Sequence, residues 1–160
     1  MDKTNSLLKN FARKRKYEVY SDLKITHKGN EYSFDKLLIG EFGTFVIESF
    51  KNSGELYGSA SDENFINITL KNKRILSENL SKKLLKNTAV LREIITENKI
   101  YNVKIESAIV IENKNCKQML TVPDNIFYLK ELKKYLENEK FEEGKADKIA
   151  LVTAINNKKI

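Results

Sequence analysis

Two acidic residues placed inside apolar runs constrain this chain more than any other feature of its sequence. Asp35 lies in the run 34–39 and Glu48 in the run 44–50, and the turn Gly40-Glu41-Phe42-Gly43 separates them. A carboxylate in a buried strand loses hydration free energy, so it persists only where a metal ion, a cation or a full set of hydrogen-bond donors compensates it. The pair therefore predicts a polar site built into the core of a sheet.

The alternation of strand side chains brings the two carboxylates together. Residues i and i+2 share a face, so Asp35 lies with Leu37 and Ile39, and Glu48 lies with Val46. If the glycine turn pairs the two runs as a hairpin, both carboxylates reach the same edge of one sheet. Two carboxylates in that position suit Mg²⁺ or Mn²⁺, hard cations that accept oxygen ligands and keep positions for water and phosphate.

At these residues the sequence resembles the nuclease-related domain family, NERD, a branch of the PD-(D/E)xK nuclease-like superfamily. The family pattern has an apolar strand with an aspartate, a short turn, a strand reading Ile-Glu-x-Lys-Asn, and then Gly-x-x-x-Gly. Residues 34–39, 43–48 and 54–58 follow its three parts, and the resemblance extends from residue 19 to about 136. It implies an α/β, restriction-endonuclease-like fold, in which a mixed central sheet of five or six strands is flanked by helices.

The resemblance also implies a metal-dependent DNA endonuclease. Asp35, Glu48 and the Ser49 carbonyl would hold Mg²⁺ or Mn²⁺ in such a site. The spacing departs from the family at one point, because Phe50 stands where the catalytic lysine is expected and Lys51 follows one place late. Strand alternation points Lys51 away from Glu48, unless a β-bulge at residues 49–50 turns it back.

A second candidate for the catalytic lysine lies on the following helix. The family opens this helix with Asn-Pro and a nearby glutamine, whereas this chain has Asn79 as the predicted helix cap and Lys83 at the glutamine position. Lys83 falls on the border of the apolar stripe of this helix, while Lys82 points to solvent. The choice between Lys51 and Lys83 stays open at this point.

The positive charge of the chain is concentrated in two segments. The net charge is +7, and residues 1–17 hold six basic residues against one acid, while residues 71–92 hold seven against one. This distribution favours a phosphate-binding surface and a nucleic-acid partner, most simply DNA. The predicted nucleic-acid contacts are Lys9, Arg13, Lys14, Arg15, Lys16, Lys71, Lys73, Arg74 and Lys86.

Other function classes find little support in the composition. One cysteine, Cys116, and one histidine, His27, exclude an intrachain disulfide and give no basis for zinc or Cys/His catalysis. There is no apolar run of membrane-spanning length and no signal-peptide pattern at the start, so we expect a cytoplasmic protein that forms one NERD-like domain over residues 1–160. The sequence gives no clear signal for an oligomer.

The helices predicted from periodicity cover residues 4–16, with Thr4 or Asn5 as cap, 79–97, 127–138 and 146–156. In the first of these helices, relatives are expected to carry a glutamate as an additional metal-site acid, and residues 3–17 contain none.

The missing glutamate and Phe50 support an alternative function. In that hypothesis the nuclease-like fold has lost catalysis and binds nucleic acid or a protein partner. A homodimeric scaffold without a polyanionic partner is a third possibility.

Overall fold

A computed structural model describes residues 2–160, which form four α-helices and nine β-strands. The helices α1–α4, in chain order, are Lys3–Arg13, Leu80–Glu97, Leu129–Leu136 and Lys148–Lys158. The strands β1–β9, in chain order, are Glu18–His27, Asn30–Gly40, Gly43–Phe50, Gly54–Ser59, Asn64–Ile68, Arg74–Glu78, Lys104–Ile111, Cys116–Thr121 and Asn125–Tyr128.

The strands form two mixed sheets. The first has the order β1-β2-β3-β7-β9, in which β1, β2 and β3 are antiparallel neighbours and β7 and β9 run parallel to β3. The second has the order β6-β5-β4-β8, with β8 parallel to β4. The predicted α/β, restriction-endonuclease-like architecture is confirmed. The central sheet has five strands, within the predicted five or six, whereas the second sheet of four strands was not predicted.

Helices cover both faces of the first sheet. On one face α2 and α4 pack against the alternate side chains of β2 and β3 that include Leu37 and Val46. On the other face α1 and α3 pack against the remaining alternate set, which includes Leu38 and Phe45. The central strands are therefore apolar on both faces, so a charged residue inside them must find its partner within the protein.

The helix ends differ from the predictions by up to three residues, and two of the differences have a clear cause. Asn79 caps α2 as predicted, and its side chain accepts a hydrogen bond from the Lys82 amide. Helix α1 is capped by Asp2 instead of Thr4 or Asn5, since the Asp2 carboxylate accepts from the amide of Asn5. Helix α3 begins at Leu129, because the preceding residues join β7 as strand β9. None of the helices in residues 2–160 is long and apolar enough to cross a bilayer.

The glycine that opens β4 allows two strands to approach closely. Gly54 has φ of +91°, and a Cβ at this position would lie 2.1 Å from the main-chain oxygen of Ile68 on β5. Gly29, in the β1–β2 turn, has a similar φ of +80°, but the space around it is open. The two glycines therefore share backbone strain and differ in packing.

We expect Gly54→Ala to lower the free energy of unfolding by about 3 kcal/mol, because it adds a steric clash to left-handed backbone strain. Gly29→Ala is the matched control and should cost only roughly 1 kcal/mol, since strain alone acts there. Urea unfolding of both variants and the parent protein measures the difference. Equal losses would show that the contact with Ile68 is not close in solution.

Candidate active site

The candidate site lies where the hydrogen-bond ladder between β2 and β3 ends. The last ladder pair is Lys36 opposite Ile47, and the same register sets Asp35 opposite Glu48. In place of further ladder bonds, the Asp35 amide donates to Glu48 Oε2 at 3.0 Å, and the Ser49 amide donates to Asp35 Oδ2 at 3.0 Å. Each carboxylate thus satisfies a main-chain amide of the opposite strand, which fixes both side chains at the open end of the hairpin.

The pairing of strand β1 with β2 is also irregular beside Asp35. Asp22, which the register sets opposite Asp35, has φ of +51°, and the β1–β2 pairing is interrupted between Lys36 and Phe34. A non-glycine residue in the left-handed region distorts a strand locally. Asp35 therefore lies outside the regular ladders on both of its sides, and polar contacts determine its position.

The Glu48 carboxylate is the most deeply buried acid of the site and pairs with helix α2. Its side chain is 1% exposed, and Lys83 Nζ lies 2.7 Å from Glu48 Oε1. Asn87, one turn further along α2, donates to Glu48 Oε2 at 3.4 Å. Burial raises the pKa of Glu48 despite the lowering effect of Lys83. Burial lowers the pKa of Lys83, but the hydrogen bond that Lys83 donates to Glu48 and the nearby acidic charges together outweigh it, so the net pKa is raised and Lys83 is charged at neutral pH.

The oxygen atoms gathered here fit one hard divalent cation. Ser49 donates its amide toward Asp35, and because the amide and carbonyl of a strand residue point to the same side, its carbonyl faces Asp35 as well. A carboxylate offers about four acceptor positions, so the hydrogen bonds to Asp35 and Glu48 leave some free. Lys83 is the flexible contact that a cation would displace. The donor set contains only oxygen, which suits Mg²⁺ or Mn²⁺.

A buried lysine that sequence reasoning missed joins Asp35 to the start of α1. The Lys36 side chain is fully buried, and its Nζ lies 2.9 Å from Asp35 Oδ1 and 2.7 Å from Asp2 Oδ2. Burial lowers the pKa of Lys36, but the hydrogen bonds to Asp2 and Asp35 outweigh it and raise the net pKa. The available signal was that a lysine within an apolar strand needs acidic partners, but this signal does not identify Asp2 as one of them.

Lys51, the first lysine candidate, lies on the other side of the site. The pairing of β3 with β7 continues without a break through Ser49 and Phe50, so the bulge that would turn Lys51 toward Glu48 does not form. Phe50 is buried in the core below α2. Lys51 is half-exposed, and its Nζ lies 3.6 Å from Asp2 Oδ2.

The charges of this cluster balance formally. The carboxylates of Asp2, Asp35 and Glu48 are matched by three ammonium groups, each within ion-pair distance of at least one of them. Those ammonium groups belong to Lys36, Lys51 and Lys83. The site therefore has no strong excess of negative charge. This near-neutrality lowers its affinity for a divalent cation.

Two adjoining cavities open at the site. The smaller one has a volume of about 280 Å³, and Asp35, Glu48, Ser49, Lys51 and Lys83 are among its lining residues. The larger one, about 520 Å³, shares Lys83 with it and extends along the start of α2. Three acids of the larger cavity, Glu31, Glu63 and Glu78, face three lysines, Lys82, Lys83 and Lys86. All five residues predicted for metal binding and catalysis thus line one cavity.

The predicted nucleic-acid contacts fall into two separate places. Lys86 lines the larger cavity. Strand β6 ends at the same cavity and begins at Arg74, directly after the basic turn that contains Lys71 and Lys73. Lys9, Arg13, Lys14, Arg15 and Lys16 lie along α1 and just after it. Because an α-helix rises 1.5 Å per residue, the end of α1 lies roughly 16 Å from Asp2.

One member of the α1 group already has partners within the protein. The Arg15 guanidinium pairs with Glu142, donates to the Phe11 carbonyl and lies over the Phe11 ring. Arg15 is therefore less available to phosphate groups than the other residues of the α1 group.

A second cluster of possible metal ligands lies elsewhere on α2. His27, Glu93 and Glu97 bring ligand atoms within 4.8 Å of one another. Lys28 contacts both glutamates, and His27 Nε2 lies 3.2 Å from Glu93 Oε1. The two carboxylates thus already share the Lys28 ammonium group as a partner. Cys116 is buried, and burial raises the pKa of its thiol, which favours the unreactive form.

We expect Lys83→Met to lower the free energy of unfolding by about 2 kcal/mol at pH 8, because it leaves the buried Glu48 carboxylate without its cation. The pKa of Glu48 then rises further in the folded protein, and an acid with a raised folded-state pKa destabilises the fold only at pH values where it is ionised. The loss should therefore shrink toward pH 5.

Urea unfolding at pH 5 and pH 8 measures both effects. Lys82→Met is the matched control, since Lys82 is exposed and adjacent in sequence, and it should change the free energy by less than about 0.5 kcal/mol at either pH. A loss in Lys83→Met that does not depend on pH would contradict the pairing with Glu48.

Comparison with known proteins connects this geometry to a family. The profile of the nuclease-related domain, NERD, matches residues 2–112, more than half of the chain. Searches of curated proteins and of solved structures each gave no significant match. The matched segment contains Asp2, Lys36 and the opposed pair Asp35 and Glu48 together with Lys83. The chain therefore belongs to the nuclease-related domain family.

Proposed function

We propose that this protein is a metal-dependent nuclease that hydrolyses phosphodiester bonds of DNA. The observation that carries the proposal is the opposed pair Asp35 and Glu48 at the end of the β2–β3 ladder, with Lys83 at the same cavity. Membership of the nuclease-related family supports a nuclease-related role. On this proposal residues 1–160 act as one NERD-like domain in the cytoplasm.

Asp35, Glu48 and the Ser49 carbonyl would hold the Mg²⁺ or Mn²⁺ ion. When bound, the ion supplies a water of lowered pKa and neutralises charge on the scissile phosphate. The main-chain hydrogen bonds to the two carboxylates keep their oxygen atoms in fixed positions, so little reorganisation is needed on binding.

Lys83 is the residue that we assign to the reacting phosphate. Its side chain is partly exposed at the cavity, and its Nζ lies 2.7 Å from one oxygen of Glu48 and 3.8 Å from Glu78 Oε1. The ammonium group can therefore move from Glu48 to a non-bridging phosphate oxygen. An ammonium group in this position stabilises charge that develops in the transition state. Lys51, at the rim of the same cavity, is the less favoured lysine because its side chain points toward Asp2.

The basic residues around the cavities would bind the DNA backbone without reading its sequence. Lys86 lines the larger cavity, and the basic turn lies at the far end of β6, the strand that ends at that cavity. The basic end of α1 lies roughly 16 Å from Asp2. We propose that Lys86 contacts phosphates near the scissile bond and that the basic turn and the α1 group contact more distant ones.

A second candidate function is a catalytically inactive nuclease fold that binds nucleic acid or a protein partner. The formal charge balance of the acidic and ammonium groups favours it, because such a site is stable without a cation. Phe50, buried where the family has a lysine, is consistent with the same hypothesis.

The decisive experiment is cleavage of supercoiled and single-stranded DNA with Mg²⁺ or Mn²⁺. We expect cleavage by the parent protein and at least a roughly hundredfold loss in Asp35→Ala and in Glu48→Ala, because each removes an oxygen ligand. Glu106→Ala is the matched control, since Glu106 is another lysine-paired carboxylate, bound to Lys140 away from the cavity.

The outcomes of that experiment separate the two functions. Activity that survives in Asp35→Ala and Glu48→Ala proteins purified in the same way as the parent would contradict the proposed site. A parent protein that binds DNA without cleaving it would establish the binding module instead.

Affinity for DNA measured against salt concentration tests the assignment of the basic residues. Replacing Lys71, Lys73 and Arg74 together by Gln should reduce the slope of log K against log salt by about 0.9 for each phosphate contact that is lost. Arg15→Gln should change the slope less, because Glu142 already binds its guanidinium. Equal effects of the two changes would contradict this assignment.

A further inference from the structure

Lys36 makes an unusually complete set of contacts for a lysine in the middle of a strand. Its side chain is fully buried, and Nζ lies 2.7 Å from Asp2 Oδ2, 2.9 Å from Asp35 Oδ1 and 3.2 Å from the Asp35 carbonyl oxygen. An ammonium group has three N–H donors. Each donor therefore has one acceptor, and two of the three acceptors belong to Asp35.

Stability alone does not account for this arrangement. Burying a lysine costs several kcal/mol of hydration, and replacing a buried ion pair by apolar side chains is often neutral or stabilising. The face of β2 that carries Lys36 is otherwise apolar, with Leu38 beside it and Leu8 and Ala12 of α1 packed against the sheet. An apolar residue would suit this face, so the contacts with Asp35 point to a role in the site.

Asp35 needs such a contact because the sheet does not hold it. The ladders on both of its sides are interrupted at this residue, as described above. The Ser49 amide holds Oδ2 and the Lys36 ammonium holds Oδ1. Together these two donors fix both carboxylate oxygens and hence the plane of the group.

Asp2 anchors Lys36 from the opposite side. Its Oδ1 accepts from the Asn5 amide as the cap of α1, while Oδ2 accepts from Lys36. Helix α1 is itself fixed at this end by Glu112, which accepts from the Lys3 amide at 2.8 Å and from the Thr4 hydroxyl at 2.9 Å. Asp2 thus connects a fixed helix end to the lysine that orients Asp35.

We propose that Lys36 and Asp2 are positioning residues that orient the Asp35 carboxylate for the metal-dependent reaction. The proposal rests on the proposed nuclease function. Lys36 touches neither substrate nor ion and acts through Asp35, and Asp2 acts through Lys36.

The test is steady-state cleavage kinetics together with Mn²⁺ affinity, measured by electron paramagnetic resonance. In Lys36→Met we expect kcat to fall about tenfold or more, because a misoriented ligand costs rate, while the KM for DNA changes less than about twofold. Removal of a positive charge beside the ion should leave Mn²⁺ affinity unchanged or increase it. A parallel loss of kcat and Mn²⁺ affinity, or an unchanged kcat, would overturn the proposal.

Asp2→Asn tests the chain of contacts without removing the helix cap, since asparagine caps helices as well as aspartate does. We expect kcat to fall about threefold, and the double variant with Lys36→Met to be no slower than Lys36→Met alone within about twofold. Multiplicative effects of the two changes would mean that Asp2 does not act through Lys36. Lys140→Met, which removes a lysine paired with Glu106, should leave kcat unchanged.

A second measurement does not depend on turnover. The buried Lys36 ammonium should exchange protons slowly and give its own nitrogen-15 NMR signal, which shifts in Asp2→Asn and on addition of Mg²⁺. If the parent protein does not cleave DNA, the proposed function fails. The response of this signal to Asp2→Asn and to Mg²⁺ still tests whether Lys36 and Asp2 orient the Asp35 carboxylate toward a bound ion. Absence of the signal, or a signal that Mg²⁺ does not shift, would overturn the proposal.

Discussion

The reciprocal hydrogen bonds between Asp35 and Glu48 are the interaction on which this structure depends. The Asp35 amide donates to the Glu48 carboxylate, and the amide that follows Glu48 donates to the Asp35 carboxylate. Beyond the last pair of the ladder, these side-chain hydrogen bonds connect β2 and β3 in place of main-chain ones. A cavity can therefore open between the two strands without leaving these main-chain amides unpaired. A charged pair in the middle of the sheet is tolerated because each carboxylate replaces a ladder partner.

The burial of Glu48 in turn determines the position of helix α2. Lys83 reaches Glu48 Oε1, and Asn87 donates to the Ser33 carbonyl at 2.8 Å and to Glu48. At the start of the same helix, the Asn79 side chain donates to the Ser59 and Asp62 carbonyls beyond β4. Polar contacts from both sheets thus fix the helix in register, and its apolar side chains fill the core between them. Apolar packing alone would allow helix α2 to shift along its own axis, whereas these directional hydrogen bonds prevent such a shift.

Sequence reasoning predicted the parts of the fold with strong local signals. The β2–β3 hairpin follows from two apolar runs around a glycine turn, and the cap of α2 follows from Asn79 before an amphipathic stretch. Strand β6 was missed because its two apolar residues, Ile75 and Leu76, are adjacent and do not alternate with polar ones, and because its side chains are largely exposed. The role of Asp2 depends on Lys36, which is more than thirty residues away, and no local pattern reports such a contact.

The end of strand β7 has a consequence for how the chain is assembled. Glu112 binds the first turn of α1, so the two ends of the segment that matches the family meet at one point. Every residue of the opposed pair and its lysine partners lies within that closed segment. Strands β8 and β9 and helices α3 and α4 come after this closure, where they extend the two sheets and fill both cores. None of the residues that line the smaller cavity comes from this part of the chain. Substitutions there can therefore change the stability of the fold without changing the groups that surround the carboxylates.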